Sequence, residues 1–219
     1  MVTAGRWGTI IADIRGLLRV TQWLSPAFPL GSYAYSSGLE TAMADGRVTG
    51  PDSLHDWLGA VLQFGAGRMD AALVIHAMRG ADVTDIACAL APSAERLEET
   101  VAQGTALATT LAAVEELQIQ PAPLPVVFGQ AAATLDLPED LVAALYLQAM
   151  AANLVSAAVR FVPVGQTAGQ KVLTNLHSVI ETVASQACAT VLDDLGSGTL
   201  WADMAAMGHE TLPVRIFKT

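Results

Sequence analysis

The chain has 219 residues, 53% hydrophobic and only 15% charged, with a net charge of −10. That length can bury one sizeable core, and a charged fraction well under the roughly 25% of average domains implies that a membrane or other protein chains cover part of the apolar surface. The acidic balance excludes the basic patch by which a domain neutralises phosphates, so no nucleic-acid partner is expected.

At the N-terminus, Arg6, Arg15 and Arg19 lie among apolar residues, Asp13 interrupts the run, and no small-residue cleavage site follows. These features argue against a signal peptide and for an amphipathic first helix with Ile10, Ile14, Leu17, Leu18 and Leu24 on one side. The next stretch, SPAFPLGSYAYSSGLE (25–40), breaks with the Ala-rich background. Pro26, Pro29 and Gly31 set the backbone of a loop-to-helix corner there, and Gly38 permits close approach of a helix.

Further on, Leu54, Trp57, Leu58, Val61 and Leu62 form a helical stripe after Pro51 and a Ser53/Asp56 pair that resembles a capping box. Glu95, Glu98, Glu99, Glu115 and Glu116 read as solvent faces. Pro138, followed by Glu139 and Asp140, opens a central helix, since proline suits a first turn and acids face the positive end of the helix dipole. Residues 141–159 carry no charge, a length approaching a membrane span. Gln148, Asn153 and Ser156 interrupt the run, and the centre of a helical bundle needs the same all-round apolarity, so a buried helix is expected and no membrane partner. The last long stripe comprises Val172, Leu173, Leu176, Val179, Ile180, Val183, Ala184, Ala187 and Val191. Connectors fall at 46–51, 121–125, 163–169 and 196–198, none long enough for a domain linker. Strand signals are sparse. The reading is a single all-α domain over 1–219, a bundle of about eight or more helices.

The chemistry of catalysis is missing. The glycine pairs Gly65/Gly67 and Gly196/Gly198 lack the lysine and the preceding strand of a phosphate-binding loop. AYSSG (34–38) falls one residue short of a nucleophile elbow, with Ala34 in the glycine position and no α/β pattern around it. Ser36 is therefore read as a helix-capping hydroxyl. His55, His76, His177 and His209 do not pair at helical spacing, and Pro213 ends the likeness of His209-Glu210 to a zinc-protease helix. Cys88 and Cys188 read as buried free thiols, which fits a reducing cytoplasm. No catalytic residue, metal ligand or bound cofactor is expected. What stands out is a set of polar residues in apolar or turn contexts: Tyr33, Ser36 and Glu40, then Asn153 and Arg160, then Gln166 and Gln170. Buried polar groups need partners, so these residues form either an internal network that fixes a loop or a preorganised docking surface.

Three blocks carry a resemblance. SPAFPLGSYAYSSGLE, AAVRFVPVGQTAGQKVL (157–173) and MGHETLPVRIFKT (207–219), supported by PVVFGQAAATLDLP (125–138), resemble in order and spacing the UreF family of urease accessory proteins. The resemblance implies an all-α, usually homodimeric, non-enzymatic chaperone. It bridges a UreD/UreH-type accessory protein and the GTPase UreG during nickel insertion into apo-urease, with nickel and GTP carried by UreG. By the same resemblance Tyr33 faces UreG, braced by Ser36 and Glu40, while His209, Glu210, Arg215 and Phe217 face the UreD/UreH-type protein. The tail, about 207–219, is then expected to stay flexible until its partner binds. Two alternatives stay open: regulation of GTP hydrolysis by UreG, with Arg160 or Arg215 as candidates by residue type, and a conduit for nickel through the chain.

Overall fold

The computed structural model describes residues 13–219. Within them the chain folds into helices α1 (Ile14–Trp23), α2 (Leu39–Ala44), α3 (Pro51–Phe64), α4 (Ala66–Met78), α5 (Thr84–Ala89) and α6 (Ala94–Glu115). There follow α7 (Leu124–Ala132), α8 (Glu139–Phe161), α9 (Gln166–Asn175), α10 (His177–Ala187) and α11 (Leu200–His209). Short 3-10 turns lie at Ser32–Ala34 and Leu192–Asp194, and no strand occurs among the described residues. The all-α expectation therefore holds.

The core has two lobes that share a central layer. One lobe joins α2, α3, α9, α10 and α11 around Leu58, Leu62, Leu176 and Ile180; the other joins α1, α6 and α7 around Trp23, Leu107 and Phe128. Helices α4 and α8 belong to both: Ala71, Ala72, Ile75, Leu147 and Ala151 face the first lobe, while Leu73, Val74 and Tyr146 face the second. This explains the all-round apolarity of residues 141–159, because α8 is covered from two sides. Small residues bring the layers close. A Cβ at Gly129 of α7 would collide with the Val74 carbonyl of α4, so only glycine permits that contact.

Four details differ from the sequence reading. On α1 the buried side chains are Val20 and Trp23, whereas Ile14 (60%) and Leu18 (64%) are exposed; Ile10 lies outside the described residues. The face is chosen by Trp23, whose indole packs edge-on to Phe128 and donates from Nε1 to Glu115. At the start of α3, Ser53 is the third helical residue rather than the cap: its Oγ accepts the Thr49 and Gly50 amides, and Asp56 takes no part. The stripe 172–191 is split between α9 and α10 at Leu176, and Val191 is exposed. Cys88 and Cys188 are free thiols, each half-buried rather than fully enclosed.

Candidate functional site

The segment 31–38 turns sharply twice. Gly31 and Gly38 adopt left-handed backbone, φ 72° and 81°, and a Cβ on Gly38 would lie 2.6 Å from the Ala206 amide of α11. Ser37 is also left-handed, φ 55°, a conformation that a non-glycine residue keeps only when its surroundings hold it. Those surroundings come from the far end of the chain. The Lys218 amide donates to the Ala34 carbonyl (2.8 Å) and the Ser36 amide to the Thr219 carbonyl (2.9 Å), so the tail lies alongside the loop. Ser36 Oγ also donates to Thr219 O and accepts the Glu40 amide, which makes it a brace as well as a cap.

Two buried carboxylates organise the rest. Glu40 on α2 accepts the amides of Ile216 (2.7 Å) and Phe217 (3.0 Å), and lies 2.9 Å from His209 Nε2. His209, fully buried at the end of α11, meets Glu95 Oε2 of α6 at 2.6 Å through Nδ1. Arg215 donates to the other Glu95 oxygen (2.6 Å), and exposed Glu210 caps the start of α6 by accepting the Ala94 amide (2.9 Å). Glu99 on α6 accepts from Thr219 Oγ1 (2.7 Å), Gln103 (3.2 Å), Ser37 Oγ (3.4 Å) and Arg96. A sequence reading of Glu95, Glu99 and Glu115 as solvent-facing is thus corrected: each is paired inside the fold, Glu115 with Arg19 and Trp23. The signal was ambiguous. Glu95, Glu99 and Gln103 recur every four residues and form one polar stripe, but nothing local says whether water or protein meets it.

The third support comes from α8. Asn153 donates to the carbonyls of Ser32 (2.9 Å) and Tyr35 (3.4 Å). Arg160 donates to the Tyr33 carbonyl (2.8 Å) and its guanidinium lies 4.7 Å from the centre of the Phe217 ring. With its backbone so held, the Tyr33 side chain stands 67% exposed. Gln166 and Gln170, grouped with this network in the sequence reading, are exposed on α9 and lie outside it. Pro26 is exposed on the loop. In the tail, Phe217 and Thr219 are buried against the rest of the chain. Val214 and Ile216 of the tail are exposed, as are Leu200, Met204 and Met207 of α11, exposed apolar residues that the sequence reading missed.

Beneath the loop lies a cavity of about 210 Å³, lined by apolar Leu24, Phe28, Leu30 and Met150 and by polar groups that include Asp70, Arg96, Glu99 and Tyr146. Asp70 is half-buried. This desolvation lifts its pKa to about 6, against the smaller opposing effects of the Arg96 charge and the Tyr146 hydroxyl, which donates to it (2.9 Å). Burial, then the Asp70 charge, raises the Tyr146 pKa well above its ordinary value. Burial opposes the charge on Arg96, but Glu99 and then Asp70 hold its pKa above the usual arginine value. Among the described residues no group of three or more His, Cys, Asp or Glu is arranged to hold a metal ion.

Comparison with known proteins supplies the lineage. The family described as UreF matches residues 48–177. The urease accessory protein UreF of Cereibacter sphaeroides (strain KD131) is 57% identical over 206 residues, covering 93% of this chain and 98% of that protein. That of Jannaschia sp. (strain CCS1) is 50% identical over 220 residues, covering 99% and 97%. That of Roseobacter denitrificans is 42% identical over 215 residues, covering 96% and 97%. The Jannaschia match, over 99% of the chain, takes in the loop and the tail, both outside 48–177, and the chain belongs to the UreF family of urease accessory proteins.

Proposed function

We propose that this chain is a non-enzymatic cytoplasmic adaptor in urease maturation, acting as a homodimer that bridges a UreD/UreH-type protein and UreG. Nickel and GTP travel with UreG, and apo-urease receives the metal. One observation carries the reading: the loop 31–38 and the tail 210–219 are bonded into a single braced unit from which Tyr33, Val214 and Ile216 stand exposed. A recognition surface needs this combination of rigid backbone and exposed anchor. In this reading Tyr33 meets UreG, backed by buried Ser36 and Glu40. The tail, with His209, Glu210, Arg215 and Phe217 shaping it, and the apolar face of α11 meet the UreD/UreH-type protein. Burying that face would also relieve the shortage of surface charge.

Light scattering of the chain alone, with the UreD/UreH-type protein, and with nickel- and GTP-loaded UreG as well tests the proposal. A dimer that builds a defined ternary complex supports it; a chain that binds neither protein overturns it. The GTPase-regulator reading draws no support from Arg160 or Arg215, since both guanidiniums already bond within the chain. The conduit reading is favoured by the cavity under the loop, which is large enough for several waters and lined in part by polar groups. Filling it with Ala149→Phe would then cut urease activation while the complex still assembled, and unimpaired activation would exclude passage by this route.

A further inference from the structure

The loop and the tail touch each other, but a third element grips both. Glu99 is buried on α6, and its two carboxylate oxygens serve different segments. Oε1 accepts from Ser37 of the loop and Gln103, while Oε2 accepts from Thr219 of the tail and pairs with Arg96. Arg96 also donates to Ser37 Oγ (2.7 Å), and Ser37 N–H donates to Thr219 Oγ1 (3.2 Å). Loop, tail and helix therefore meet at one ion pair removed from bulk water, where hydrogen bonds to charged groups are strong and a missing partner is expensive.

We propose that Arg96 and Glu99 are positioning residues that lock the loop 32–38 to the tail 214–219, so that the two segments are held or released as one docking unit. The functional consequence rests on the adaptor reading; the lock itself does not. The argument is geometric. A neutral amide at position 99 keeps one acceptor oxygen and puts an NH2 donor in place of the other, so either the Ser37 or the Thr219 hydroxyl loses its charge-assisted bond and must turn round to accept. It also leaves the Arg96 guanidinium beside a neutral group. Ser37, held in left-handed backbone by this cluster, then has reason to relax, and the Ser36 amide that pairs with Thr219 moves with it.

Amide hydrogen exchange on the whole chain, without any partner, tests the lock. Glu99→Gln is expected to speed exchange about tenfold or more in both 32–38 and 214–219, with the amides of α6 and the core unchanged. Acceleration in one segment alone, or spread along α6, would overturn the proposal. Thr219→Val guards against a purely local effect of Glu99, because it removes only the tail's hydroxyl. It is expected to loosen 32–38 as well, and an unchanged loop would likewise overturn the lock. Titrating both variants with UreG and the UreD/UreH-type protein then separates the two claims. Coupled exchange with undiminished binding keeps the lock and sinks the docking reading, whereas coupled exchange with binding weakened about tenfold supports both.

Discussion

The central layer of α4 and α8 and the junction of loop, tail and α6 are both buried, yet they hold together by opposite means. The layer is built from Ala71, Ala72, Ile75, Leu147 and Ala151, side chains whose attraction is non-directional and spread over many small contacts. The junction is built from Glu40, Glu99 and His209, charged or polar groups that are almost wholly enclosed and joined across more than a hundred residues of sequence. The contrast teaches where tolerance lies. A layer of apolar volume accepts conservative exchange, while a buried polar network fails when one atom is taken away.

The sharpest way to show this is Glu40→Ala. It strips His209 of one partner and leaves the Phe217 amide unpaired in a buried site and the Ile216 amide unpaired at its edge. Removing one member of a buried charged cluster costs about 3–5 kcal/mol, so chemical denaturation should show a loss of that order and proteolysis should cut the tail early. A loss of under about 1 kcal/mol would break the comparison by showing that the junction yields as easily as a surface ion pair. Leu147→Ala supplies the other side. It deletes a fully buried side chain from the layer and should cost about 2–5 kcal/mol, without selective loosening of the tail in hydrogen exchange.

The same contrast decides what the sequence could reveal. Periodic apolar residues mark the helices, because each stripe is a local pattern; Leu54 to Leu62 needs no knowledge of its neighbours. Which face of α1 turns inward was not legible, since Ile14 and Leu18 are as apolar as Val20 and only the distant Phe128 and Glu115 choose between them. Ser36, Glu40 and Arg160 stood out because polar groups in apolar surroundings need partners. Their partners did not, as Thr219, Ile216 and Phe217 lie at the far end of the chain. Glu99 was invisible for the same reason: an acid on a helix reads as solvent-facing until something folds over it.

A smaller effect comes from Asp70, where the apolar lobe and the polar cavity meet. Its folded pKa, about 6, lies above the ordinary carboxylate value because burial disfavours the charge. The folded state therefore binds the proton more tightly than the unfolded state. Its contribution to stability is most favourable below about pH 4, falls between about pH 4 and 6, and stays at the lower level above that. Asp70→Asn keeps an acceptor for the Tyr146 hydroxyl and removes the charge, so it should raise stability by about 1–3 kcal/mol at pH 7.5, with the gain vanishing near pH 4. A stability curve parallel to wild type at every pH would show that Arg96 compensates Asp70 fully, and that this part of the junction carries no penalty.

The smallest expected change in stability is at Tyr33. Its side chain is 67% exposed, and the bonds that fix this residue all run through its backbone: the carbonyl to Arg160, and the neighbouring Ser32 and Tyr35 carbonyls to Asn153. Tyr33→Ala leaves each of these in place. Denaturation should move by no more than about 0.5 kcal/mol, as for surface positions without special contacts. The ring is still the largest exposed aromatic anchor on the braced loop, and truncating such an anchor at the centre of an interface typically costs 2 kcal/mol or more, about thirtyfold in affinity. Tyr33→Ala should therefore keep its melting profile and lose UreG in a pull-down or titration. Retained binding with unchanged stability would show that the loop is braced for some purpose other than presenting Tyr33, and would shift the docking surface to Val214, Ile216 and the outer face of α11.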